Sequence, residues 1–127
     1  MRSAPPARRD RGQATVEVAL LLPLVAVLLM AVVQVGLVVR TQVLLTEAAR
    51  AGARAAAVSP HPDEVEAAAE STPGLDPSHL DVRIGPRGAP GTMVEVALDY
   101  RSPLVLPLLG RHFDPPRLSA RAVMRVE

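Results

Sequence analysis

From Val18 to Val39 the chain runs 22 residues without a charge, and Gln34 is the one strongly polar residue among them. At 1.5 Å per residue a helix of this length covers roughly 33 Å, enough for a bilayer core of about 30 Å. A soluble core helix shows a polar stripe at helical spacing, and this run shows none. The pattern predicts a transmembrane helix over 13–39. Helical character then continues: Thr41 to Val58 is rich in Leu, Val and Ala, with Gly52 its single glycine and no proline. Ser59-Pro60-His61-Pro62 ends it, because proline blocks continuation. One helix over about 14–58 follows, roughly 65 Å long.

Beyond it the period changes. Asp63 to Glu70 reads as a short helix with acidic residues in its first turn. Thr72 to Ser78 is a turn region, and Leu80 to Ile84 alternates as a strand does. Gly85 to Gly91 is a connecting loop; it lacks the Lys-Ser/Thr pair of a phosphate-binding loop. Thr92 to Arg101 is the clearest strand. Val94, Val96, Leu98 and Tyr100 share one face, with Glu95 and Asp99 on the other. Leu118 to Val126 alternates too, with Arg121 and Arg125 on its polar face. If these two strands pair, Glu95 and Asp99 meet Arg121 and Arg125 across the sheet, most simply as a solvated charged face. Pro103 to Leu109 is apolar but broken by prolines, and is read first as a loop covering the core, with the membrane surface or a partner as the alternatives. The fold class is therefore α+β: a long N-terminal transmembrane helix continuing beyond the membrane and packed on a small antiparallel sheet of about three strands. Four segments result: a basic leader over 1–12, the transmembrane helix over 13–39, its continuation over 40–58, and a small α+β domain over 59–127.

Composition narrows the chemistry. The net charge of +1 argues against a dedicated nucleic-acid binder. With no cysteine, disulfides, thiolate metal sites and cysteine nucleophiles are excluded. His61, His79 and His112 are far apart and form no metal-ligand spacing. The acidic residues of 63–70 lack the alternation and central glycine of a calcium loop. No nucleotide fingerprint or nucleophile elbow is present, so neither an enzyme, a cofactor nor a small-molecule substrate is expected. Tyr100 and Phe113 are the only aromatics, so the core is built from Val, Leu, Ile and Ala.

The N-terminal edge of the apolar run carries the most telling residues. Glu17 lies five residues after Gly12, behind Arg8, Arg9 and Arg11. An acidic residue at the centre of a membrane helix costs roughly 2.5–3.5 kcal/mol, and less near the interface. A residue in this position needs a partner or a function. The segment from Arg11 through Glu17 to Val25, the Gln34-Val-Gly triplet and the run Thr46-Glu-Ala-Ala-Arg-Ala-Gly-Ala-Arg-Ala-Ala resemble the TadE-like family. Its members are minor pilins or pseudopilins of the tight-adherence (Flp-type) pilus system. The C-terminal Ala120 to Glu127 is similar to the way such chains end. The similarity is dense over 11–58 and thin beyond.

The resemblance implies a pilin-like fold and a set of roles. A prepilin peptidase would cut between Gly12 and Gln13 at the cytoplasmic face, making Glu17 the fifth mature residue. Its carboxylate would pair with the new N-terminal amine of a neighbouring subunit, each buried charge offsetting part of the other's penalty. The alternative is an interfacial Glu17 that reaches headgroup water. Val18 departs from the pattern, since many Flp-type prepilins carry an aromatic there. Pro23 fits the early proline of pilin-like helices, or is a simple kink. Ala48, Gly52 and Ala56, at i, i+4 and i+8, make a small-residue groove for close helix packing; alanine's high helix propensity explains them equally. The implied partners are other pilins or pseudopilins, pilus assembly proteins, the peptidase and membrane lipid.

Flanking charge sets the orientation. Arg2, Arg8, Arg9 and Arg11 precede the span, while Arg40, Arg50 and Arg54 follow it. This places the N-terminus in the cytoplasm and residues 40–127 outside. Two competing readings differ in processing. An unprocessed single-pass protein with a partner-binding outer domain is not cut. A secreted domain is cut near Ala55-Ala56-Ala57.

Overall fold

The computed structural model describes residues 9–102 and 115–127, with side chains from Gly12 onward. Helix α1 runs Arg9–Val58 and contains Pro23. Helix α2 (Pro62–Glu70), a 3-10 turn (Pro77–His79) and strands β1 (Leu80–Ile84), β2 (Met93–Arg101) and β3 (Arg117–Arg125) follow. The chain divides into two compact units, Met1–Gly36 and Leu37–Glu127, and α1 contributes to both. The α+β class and each expected element are present. The expected loop over Pro103 to Leu109 lies outside the described residues, as does most of the leader.

In the second unit, the sequence of α1 sorts its faces. Leu45, Ala48, Ala49, Ala53 and Ala56 recur at three- and four-residue spacing and are buried. Glu47, Arg50 and Arg54 fall on the opposite face and are exposed. Gly52 marks the closest approach. A Cβ there would meet Val96 Cγ1 at 3.3 Å, Ala69 Cβ at 3.5 Å and Val65 Cγ1 at 3.7 Å. One small position therefore receives both β2 and α2. Val65 and Ala69 are the buried residues of α2. Pro62 starts that helix where its missing N–H costs nothing, and Asp63 and Glu64 complement the positive end of its dipole.

The sheet is antiparallel in the order β1-β2-β3. Both neighbours cover β2, so Val94, Val96, Leu98 and Tyr100 are buried, whereas the equivalent side chains of β1 and β3 are half-buried. Gly91 turns the chain into β2 at φ 91°, where a side chain would be strained. Gln42 Nε2 donates to Ser119 O at 2.9 Å and satisfies one carbonyl on β3, an edge strand.

The charged outer face differs from expectation in one pairing. Arg121 Nε lies 3.2 Å from Glu95 Oε1 as expected, but Asp99 pairs with Arg83 of β1. Register is the reason: Asp99 faces Ser119 on β3, and Glu95 faces Val123, which sets Arg121 diagonal to Glu95. Across β1, Asp99 faces Asp81, and Arg83 is its diagonal neighbour, the nearest compensation for that like-charged pair. Glu47 and Arg50, at i,i+3 on α1, form no ion pair among the described residues; both are exposed, where such a pair gains little.

Two local devices finish the fold. Asp76 Oδ1 accepts from Ser78 N at 2.9 Å and from Ser78 Oγ at 2.7 Å, closing the 3-10 turn. These bonds, side-chain first, and the nearby His79 hold the Asp76 carboxyl below the usual carboxylate range. At the C-terminus of α1 the last turn has no basic residue of its own. Arg87, from the loop between β1 and β2, donates through Nη2 to Ala57 O at 3.1 Å and Val58 O at 3.4 Å. Glu127 N also donates to Ala57 O, at 3.1 Å, so Arg87 adds a second donor there and brings the positive charge.

Two stability outcomes follow for the full chain in detergent, read by thermal unfolding. Gly52→Leu pushes a side chain into Val96 and costs about 1–3 kcal/mol, whereas Gly52→Ala asks Val96 to give by only a few tenths of an ångström and stays close to wild type. Arg87→Ala uncovers the Val58 carbonyl, leaves Glu127 N as the donor to Ala57 O, removes the positive charge at the helix end and costs about 1 kcal/mol.

Candidate functional site

The first unit is the site, and its geometry is set by what it lacks. A helix of apolar residues is stable in water only if some face is covered. Here the most apolar 18-residue stretch of α1 has no buried residue among the described residues. Leu20 is 71% exposed, Leu22 64% and Val27 66%. Side chains on all sides of the helix share this exposure, so no single stripe marks a core-facing seam. Burying each Leu or Val is worth about 1.5–3 kcal/mol, so an apolar medium around the helix is strongly favoured. Among the described residues, this is the one helix long and apolar enough to cross a membrane.

The polar edge of the run is equally open. Gly12 has no atom within 4 Å of the position a Cβ would take, so no packing inside the chain demands a glycine there. Gln13 follows it in helical backbone, and both are exposed. Glu17 is exposed one turn later and forms no ion pair among the described residues. Pro23 sits within a helix that continues through it. Gly12, Gln13 and Glu17 thus share one accessible end of the apolar segment. Ala48, Gly52 and Ala56 belong to the second unit, where their face is filled by Val65, Ala69 and Val96 of the same chain. The sequence pattern gave no reason to single out Arg87; its role as a helix cap depends on a contact 30 residues away.

A known family covers this segment and runs past it. Residues 12–54 match the TadE-like protein family. The match begins at Gly12, takes in Glu17 and Pro23, and ends within α1. No curated protein and no solved structure matches the chain. The TadE-like part is therefore the apolar helix and most of its buried continuation, while α2 and the sheet lie outside the matched residues.

A charge in the middle of the TadE-like helix tests its medium. Leu28→Arg adds about 2.5–3.5 kcal/mol to insertion. The variant is expected to insert less efficiently than wild type, read as a smaller share of chains in the alkali-resistant membrane pellet. Extraction of the wild-type chain by alkali would show that the helix is not held by lipid.

Proposed function

We propose that this protein is a minor pilin or pseudopilin of a tight-adherence (Flp-type) pilus system, made as a prepilin and assembled through its N-terminal helix. The observation that carries this reading is the TadE-like match beginning at Gly12, ahead of a helix whose apolar surface has no cover within the chain. The match supports a pilus-related role, and the helix supports a membrane location. The finer steps rest on the residues at its edge.

A prepilin peptidase cuts between Gly12 and Gln13. Glycine is among the weakest helix formers, by about 1 kcal/mol relative to alanine, so the backbone unwinds most readily at this point. The open space around Gly12 leaves room for an enzyme. Cleavage creates an α-amino group four residues before Glu17. The amine of one subunit and the Glu17 carboxylate of its neighbour then pair in a low-dielectric setting, where each charge alone is unfavourable. The pair fixes axial register between helices. The N-terminus faces the cytoplasm, as the four leading arginines dictate, and residues 40–127 lie outside. Pilins, pilus assembly proteins, the peptidase and lipid are the partners; the role is structural, with no catalysis.

Intact mass and the N-terminal peptide of the protein from native membranes test the processing step. A chain beginning at Gln13 is expected; one retaining Arg8 to Gly12 would leave an uncleaved single-pass anchor. Glu17→Gln is expected to insert and be cleaved normally but to assemble poorly, seen as loss from the sheared pilus or assembly-complex fraction. Normal assembly of that variant would sink the charge pair.

A further inference from the structure

The outer face of the sheet carries five arginines, Arg83, Arg101, Arg117, Arg121 and Arg125, against three carboxylates. Two of the carboxylates are already engaged, Asp99 by Arg83 and Glu95 by Arg121. The register then sets Arg101 directly opposite Arg117. Like charges facing each other across a strand pair are destabilising. Both side chains are exposed, and neither has an ion-pair partner among the described residues. They border a groove of about 560 Å³ that His79 and Asp81 also line.

The complementary surface is on the same chain. Helix α2 presents Asp63, Glu64, Glu66 and Glu70 to solvent and has no basic residue. None of the four is in an ion pair among the described residues. Because Val65 and Ala69 pack with Gly52 and Val96 on the inner side of the sheet, the acidic face of α2 cannot reach the outer side of its own sheet. The spacing also fits. Glu66 and Glu70, at i,i+4, hold their Cβ atoms about 5–6 Å apart, close to the roughly 5 Å between directly opposed strand residues such as Arg101 and Arg117. Each guanidinium takes one carboxylate.

We propose that a second copy of this chain docks the acidic face of α2 into the Arg101–Arg117 groove. The two surfaces differ and lie on opposite sides of one domain, so the contact is head-to-tail. Such a contact propagates from copy to copy unless its rotation closes a ring. It goes beyond the pilin reading and does not depend on cleavage at Gly12.

The absence of cysteine makes the contact directly testable in the full chain in membranes. Two differently tagged copies are co-expressed, one carrying Ala67→Cys on α2 and the other Ser119→Cys beside the groove, and treated with a short bis-maleimide. A mixed α2–groove crosslink is expected, weaker at high salt. Arg101→Glu with Arg117→Glu in the groove copy lowers it about tenfold, as reversal of close interfacial charges does. Adding Glu66→Arg with Glu70→Arg to the α2 copy restores it, which a misfolded groove could not permit. A missing mixed crosslink, one indifferent to these reversals, or one that the complementary reversal fails to restore overturns the contact. The N-terminal mass of the same samples separates the two readings. A chain cut at Gly12 without the crosslink removes only the contact, and an uncut chain with it removes only the processing.

Discussion

The packing of the second unit depends on one close approach. Gly52 and the alanines around it leave α1 without bulk along one face, so side chains of β2 and α2 come within 3.3–3.7 Å of where a Cβ of residue 52 would stand. Dispersion falls steeply with separation, and a core this poor in aromatic residues gains its cohesion from close contact rather than from large side chains. Leu45, Leu98, Val65, Val94 and Val96, its largest fully buried residues, are all aliphatic. A bulkier residue at position 52 would push the sheet and α2 off the helix together. The order of the elements follows from the same constraint: α2 turns back at Pro60 and Pro62 onto the face that the small residues leave open.

The same helix works under two regimes. Over 37–58 its buried positions recur at helical spacing, and Arg40, Glu47, Arg50 and Arg54 are exposed. Over 12–36 apolar residues face every direction and none is buried among the described residues. Each regime matches its surroundings: a one-sided core for the second unit, an apolar solvent for the first. Gly12, Gln13 and Glu17, ahead of the apolar run, are exposed, and the TadE-like match starts at the first of them.

Electrostatics in the sheet follows register rather than composition. Asp99 and Asp81 face each other, and Arg83 compensates them. Arg101 and Arg117 face each other with no ion pair to either among the described residues, and Asp81 and Asp99 lie diagonal to them. A charged sheet face is ordinarily a solvated surface of little energetic consequence. Two opposed arginines beside a groove are a different case, because a carboxylate from outside relieves part of their repulsion.

Much of this was written in local sequence. The apolar run, the proline stop at 60 and 62 and the alternation in 80–84, 92–101 and 118–126 each act over a few residues, so α1, α2 and the three strands were legible from period alone. Glu17 and Gly12 stood out because a carboxylate at a membrane edge is costly wherever the rest of the chain lies. Long-range geometry decided the remainder. Ala48, Gly52 and Ala56 read as a groove without an occupant, and only folding showed α2 and β2 filling it. Asp99 had two arginine candidates on β3, yet it bonds Arg83, since pairing register depends on both strands and the turn between them. Arg87 carries no local signal at all; it caps α1 because the loop between β1 and β2 happens to pass the helix end. The sequence by itself determined which segments are helix, strand and membrane-compatible, because those preferences are set by neighbours along the chain. Only the tertiary structure decided which faces and charges meet, because those contacts join residues that are distant in sequence.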